Sequence, residues 1–276
     1  MKTSRHIDIM GIVNLTEDSY FAESRCNGVD AALYRIDRMV SEGVDVIDLG
    51  ACSSRPGSVP VGAEVEWSRL EPVLKAVRDS FPDIKISIDT YWSSVVERAH
   101  SLIGYFIVND ISAGEDDPLM LPTVGRLGLG YVAMHKRGTS VSMPFLTDYE
   151  DVTAEVTGYF KDFAVKAARF GIKDWILDPG FGFAKTVEQN YRLLAGLPEI
   201  TAALSEICAG PRVLVGVSRK SMVYKPLEST PEQVLPATQA VHMAALMKGV
   251  DILRVHDVKE AKQTVSLFKL MDYPKY

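Results

Sequence analysis

In "DILRVHDV", close to the C-terminus, Arg254 and His256 stand two residues apart, so on a β-strand they share one face. An arginine buried there calls for an anionic partner, and it can grip a phosphate through two parallel hydrogen bonds. A second group of polar residues falls where apolar runs end: Asn14 in "IDIMGIVNL", Asp89 in "IKISIDT", Asn109 in "YFIVNDI" and Asp178 in "DWILDPG". Asp89, Asn109 and Asp178 offer mainly acceptors, which suit a ligand edge rich in N–H donors, such as an amino-pyrimidine. "SRKS" at 218–221 adds Arg219 and Lys220, and a lysine there can donate to a ring carbonyl or nitrogen. Together these residues describe a flat, donor-edged heterocycle joined to an anion, read as phosphate.

Those residues need strands to carry them. Eight short, β-branched runs are expected as strands, at 7–15, 44–50, 84–90, 105–111, 130–135, 174–180, 212–218 and 251–258. Helical patterns lie between them, for example "AALYRIDRMVSEG", "EVTGYFKDFAVKAARFG" and "ATQAVHMAALMKG", each closing on a glycine stop signal. Strands alternating with helices argue for a parallel sheet, and eight such units in about 250 residues is the arithmetic of a (β/α)8 TIM barrel. An open doubly wound sheet is the runner-up. The whole chain, 1–276, reads as one domain, with longer loops at 16–28 and 51–62.

In such a barrel the active site lies at the C-terminal ends of the strands. Five of the eight strand ends carry the polar groups above. Singly, each has a plain structural reading: an Asp or Asn as a cap or turn residue, "SRKS" as a solvated basic turn, His256 as a core histidine with a backbone partner. Their recurrence at one end of the expected barrel favours a site.

Bulk composition narrows the classes. With 47% hydrophobic and 24% charged residues the chain is of ordinary globular make-up. A formal net charge of -6 argues against a general nucleic-acid or anionic-membrane binder. Cys26, Cys52 and Cys208 lie far apart, which fits a reduced cytoplasm better than a disulfide framework. The histidines lack metal-ligand spacing such as HExxH. No run is long enough to span a bilayer, and the N-terminus is not read as a signal peptide.

The ordered motifs "MGIVNLTEDSY", "DLGACSSRPG", "SIDT", "VNDI", "MHKRG", "LDPGFGFAKT", "GVSRKSM" and "RVHDV" resemble those of bacterial dihydropteroate synthases of the folate pathway, over nearly the whole chain. The resemblance implies a barrel enzyme that condenses a dihydropterin-methyl diphosphate with 4-aminobenzoate, assisted by Mg2+. It implies a pterin read by Asp89, Asn109, Asp178 and Lys220, and a diphosphate met by Asn14, Ser54, Arg254 and His256. Mg2+ would sit with Asn14 and the phosphate oxygens, and Arg55, Phe183 and Ser221 would help form the aminobenzoate pocket. Asp89, Asp178, Lys220 and Arg254 would carry the catalysis. Family members are usually homodimers, and sulfonamides compete with aminobenzoate. Asp178 thus belongs to a pterin-side wall; Lys185 and Thr186 after it read as the start of the next helix rather than as phosphate ligands, because "LDPGFGFAKT" lacks the GxxxxGK[ST] spacing.

The chain departs from the family pattern in places. Glu17 replaces a proline in the first loop, losing its fixed φ and adding negative charge. Cys52 stands where glutamate is usual, Ser54 where threonine is, and Lys136 where an apolar residue is common. A pterin-binding methyltransferase domain and a non-catalytic pterin-binding protein are the rival readings. "SSRPG" and "SRKS", suited to a diphosphate and an arylamine, argue against the first; intact Asn14, Asp89, Asp178, Lys220 and Arg254 argue against the second.

Overall fold

Alternating inward and outward side chains on eight short strands build a closed parallel barrel in the computed structural model, which describes residues 6–15, 28–52, 61–139 and 141–271. The strands are β1 (Asp8–Asn14), β2 (Val46–Gly50), β3 (Lys85–Asp89), β4 (Ile107–Asp110), β5 (Gly130–Met134), β6 (Trp175–Asp178), β7 (Arg212–Val215) and β8 (Ile252–Val255). They follow one another round the barrel in sequence order, and β8 closes against β1. The expected (β/α)8 barrel is therefore the observed architecture, and the open sheet is ruled out. Each strand is shorter than its apolar run, because the ends of the runs turn out of the hydrogen-bonded ladder.

The helices are α1 (Gly28–Ser41), α2 (Ala63–Ser80), α3 (Ser93–Ile103), α4 (Met120–Leu127), α5 (Val152–Arg169), α6 (Val187–Ala195), α7 (Leu197–Ser205), the single turn α8 (Ser221–Tyr224), α9 (Leu235–Met247) and α10 (Val258–Met271). Their apolar faces cover the outward-facing strand residues, such as Ile9, Val13, Ile47, Leu49, Val108, Leu177 and Leu253. Burying each such aliphatic side chain stabilises the fold by about 1.5–3 kcal/mol.

Inside the barrel, Met10, Val46, Val132, Ile176, Leu214 and Ile252 form a separate apolar layer low in the lumen. The period-2 alternation of a strand then dictates what lies above it. Two residues on from Val46 comes Asp48, in register with Ile12 and Ser87. Two further comes Gly50, in register with Asn14 and Asp89, and Asp89 is in register with Asn109. The apolar layer divides the lumen: the polar inward residues above it lie on the side of the C-terminal mouth, while Asp8, Lys85 and Arg212 lie below it.

Candidate active site

The mouth brings together residues that are far apart in the chain. Asp178, at the end of β6, is almost fully buried and accepts from the Gly180 backbone N–H at 2.8 Å. Burial raises its pKa, while Lys220 pulls it back. Gly180 has φ +70°, and a Cβ there would lie 1.9 Å from the His135 carbonyl oxygen, so no other residue fits this turn. Lys220 stands over the Phe183 ring, its Nζ 4.7 Å from the centroid, and donates to the Phe181 carbonyl at 2.7 Å. Burial lowers its pKa to about 8, with Asp178 and Asp89 opposing the shift.

The turn that delivers Lys220 explains "SRKS". Arg219 adopts a left-handed φ of 57°, which costs about 1 kcal/mol or more in a non-glycine residue. Its guanidinium is anchored on Asp257 through two hydrogen bonds, at 2.9 and 2.6 Å. Arg219 therefore faces the start of α10 and leaves the mouth to Lys220. Ser221 follows at the start of α8.

Across the mouth, Arg254 is shared by two carboxylates. Its Nε donates to Asp48 at 2.7 Å and its Nη2 to Asp89 at 2.8 Å. Burial works against its charge, but Asp48 and Asp89 outweigh burial and raise its pKa. Burial raises Asp89 to about 7; Arg254 opposes that shift and Asp48 adds to it. Asn109 is buried and donates its Nδ2 to Asp48 at 3.1 Å. Among the described residues, the second oxygen of Asp89, the second oxygen of Asp178 and Oδ1 of Asn109 have no protein partner.

His256 pairs its Nδ1 with Ser218 Oγ at 3.1 Å. Burial, then Arg254, lower its pKa to about 4, so at neutral pH it meets an anion as a neutral hydrogen-bonding group. Asn14 ends β1, and a Cβ built on Gly50 would lie 3.8 Å from Asn14 Oδ1 and 3.6 Å from Asp89 Oδ2, so Gly50 separates those two side chains. Ser54, Arg55 and Glu17 lie outside the described residues.

Three residues count for more than the sequence reading allowed. Asp48 was passed over as part of an apolar run, yet it is fully buried and holds Ser87, Asn109 and Arg254. An aspartate at an inward position of a barrel strand was the available signal. Lys185 does not merely begin a helix: its buried Nζ lies 2.9 Å from His135 Nδ1 and donates to the carbonyls of Gly180 and Phe183. It ties the turn after Asp178 to the end of β5, while Thr186 caps α6 as expected, with a reciprocal capping box to Gln189. Lys136 is buried and pairs with Asp116 at 2.5 Å, linking the loops after β5 and β4. Cys52 is half-buried, its Sγ 4.0 Å from Tyr91 Oη.

A closed (β/α)8 barrel whose mouth sets acceptors beside Lys220 and Arg254 is a small-molecule enzyme scaffold. Residues 10–256 match the pterin binding enzyme family, and the chain belongs to that family. It is 38% identical to the dihydropteroate synthase of Synechocystis, over 92% of this chain and 86% of that protein. A solved Yersinia pestis dihydropteroate synthase in a sulfonamide drug complex superposes with a TM-score of 0.88 at 33% identity, covering 99% of this chain and 96% of that one. The Xanthomonas albilineans dihydropteroate synthase solved with 4-aminobenzoic acid superposes at 0.87 with 32% identity, covering 97% and 93%. Some relatives are longer. The chain spans 34% of a Pneumocystis carinii folic acid synthesis protein and 53% of a pea mitochondrial folate synthesis bifunctional protein, to which it is 39% and 38% identical over 91% and 96% of its own length.

Proposed function

We infer that the chain is a dihydropteroate synthase, condensing (7,8-dihydropterin-6-yl)methyl diphosphate with 4-aminobenzoate to give 7,8-dihydropteroate and diphosphate. The observation that carries this reading is the set of open acceptors on Asp89, Asn109 and Asp178 facing one mouth with Lys220. A pterin presents donors along its pyrimidine edge and acceptors on its carbonyl and ring nitrogens, which these groups complement.

The reaction breaks the bond between the methylene carbon and the diphosphate oxygen. Positive charge spreads into the pterin ring as that bond opens, and Asp89 and Asp178 stabilise it at close range. Fixed charges of this kind commonly supply about 3 kcal/mol each of transition-state stabilisation. The diphosphate departs toward Arg254, whose Nη1 hydrogens remain free of Asp48 and Asp89, and toward neutral His256. The arylamine nitrogen then forms the new C–N bond, and its surplus proton leaves to solvent. No protein nucleophile is required. Phe183 and Ser221, beside Lys220, would help to wall the arylamine in this reading; Arg55, which it assigns to the same pocket, lies outside the described residues.

Mg2+ belongs to this reading. Magnesium is commonly held by one or two protein oxygens plus substrate phosphates, and the amide oxygen of Asn14, at the end of β1 beside β8, fits that donor set. Bound there, the ion would neutralise charge on the departing diphosphate. Homodimerisation and a cytoplasmic location are the accompanying expectations; among the described residues no helix is long and apolar enough to cross a membrane. Sedimentation of the purified chain would show a dimer. The deciding assay mixes protein, Mg2+, the dihydropterin diphosphate and labelled 4-aminobenzoate. Dihydropteroate is the expected product, and pterin binding without product would overturn the catalytic reading. Diphosphate release at a rate independent of 4-aminobenzoate would support ionisation before C–N bond formation over direct displacement.

A further inference from the structure

Asp48 is fully buried beneath the mouth, and four hydrogen-bond donor atoms converge on its two oxygens. Ser87 Oγ lies 2.6 Å from Oδ1; Asn109 Nδ2, Arg254 Nε and Arg254 Nη2 lie 3.1, 2.7 and 2.6 Å from Oδ2. With the apolar layer of Val46 and its neighbours below, Asp48 is a poor candidate for a ligand contact. Its effect must pass through the side chains it holds.

A carboxamide has a donor end and an acceptor end of nearly the same shape, so the partner of one end decides which end faces a ligand. An ionised carboxylate only accepts. Asn109 therefore has to turn its NH2 down to Asp48 and its oxygen up to the mouth. The same carboxylate takes up Arg254 Nε, so the guanidinium plane is set from below while Asp89 holds Nη2.

We propose that Asp48 is the positioning residue that sets the polarity of the pterin-reading edge, by accepting from Asn109 Nδ2 and so presenting Asn109 Oδ1 to the ligand as an acceptor. This rests on the reading of the mouth as a pterin site. It makes Asp48 a determinant of specificity: a heterocycle with an N–H opposite Asn109 is favoured over one with a lone pair there.

The test is a mutant cycle read by calorimetric binding of 6-hydroxymethyl-7,8-dihydropterin, a probe without the diphosphate. Asp48→Ala frees the amide to rotate and should weaken binding by about tenfold to a hundredfold. Asp48→Asn should recover most of that loss, because its carbonyl oxygen can serve Asn109 and Arg254 while its own NH2 donates to Ser87 Oγ. In an Asn109→Ala background, Asp48→Ala should change binding by less than about twofold. A purely structural role would instead give independent, multiplying losses, and that result overturns the proposal, as does undiminished binding by Asp48→Ala.

Should the alanine variant fail to fold, two nearly isosteric changes decide. Asn109→Asp alone sets carboxylate against carboxylate and should bind poorly. Adding Asp48→Asn restores a donor beneath an upward-facing oxygen and should restore binding to within severalfold of the unaltered protein; no restoration overturns the proposal. If the unaltered protein itself fails to bind the probe, the pterin reading falls first. If it binds but the cycle is additive, only the role of Asp48 falls.

Discussion

The two ends of the barrel use buried charge in opposite ways. At the floor, under the strand N-termini, a cavity of about 490 Å³ is lined by Val46, Ile107, Ile252, Phe81, Lys85 and Arg212, among others. The acids around that end already have protein partners. Asp8 pairs with Arg212 at 2.6 Å, Asp45 accepts from Lys262 at 2.9 Å and from the Ile9 N–H at 2.8 Å, and Asp251 accepts from the Val213 N–H at 2.8 Å. At the mouth, acceptors on Asp89, Asn109 and Asp178 are left open. Two carboxylates divide Arg254 between them, and burial pushes Asp89 and Lys220 toward neutrality. A large concavity is therefore not what marks the site. Acceptors that face the opening without a protein partner, two of them on carboxyls whose pKa values burial raises, mark it, because a ligand can complete them.

The sharpest way to break this contrast is to change one open acceptor. Asp178→Asn should weaken binding of the dihydropterin diphosphate by about two orders of magnitude, since a donor would then face a donor. Unchanged affinity by calorimetry would remove Asp178 from the pterin wall.

A smaller effect is expected from pH. Asp89 must be ionised to accept from the pterin, so in the free enzyme kcat/KM for the dihydropterin diphosphate should fall as pH drops below about 7. Lys220 must keep its proton to donate, so the same parameter should fall as pH rises above about 8. Each limb should approach a tenfold loss per pH unit. A profile flat from pH 6 to 9, measured with a buffer series, would contradict both assignments.

The floor should give the smallest change in chemistry. Arg212→Met leaves the buried Asp8 carboxylate without its guanidinium and should cost about 1–2 kcal/mol of stability. Arg212 is itself half exposed, which keeps the cost modest. Thermal melts should register that loss while kcat/KM stays within about twofold. A large fall in kcat/KM would mean that the two ends are coupled.

Much of the molecule is legible in the amino-acid sequence. The eight strands, the barrel and the polar strand ends follow from period-2 apolar runs alternating with helical ones, because a parallel sheet buried on both faces demands such runs. The placing of Asn14, Asp89, Asn109, Asp178 and Arg254 at one mouth follows from the same rule, while Lys220 is brought there by the turn after β7. The helices α4, α6, α7 and α10 carried weaker patterns, and the strand limits shrank by a residue or more at most ends. Asp48, Lys136 and Lys185 were missed or undervalued for a common reason: each acts through a partner 20 or more residues away, and linear sequence does not display such pairs.

The sequence alone determined which groups reach the mouth, since alternation along a strand assigns each side chain to the lumen or to the helix layer. Only the tertiary structure decided their states and orientations. It gave Arg254 two carboxylates to hold, left His256 neutral beside it, turned Arg219 away onto Asp257 and set the amide of Asn109 over Asp48. Those outcomes depend on which strands lie side by side and how deeply each group is buried, and both are properties of the closed barrel rather than of any one segment.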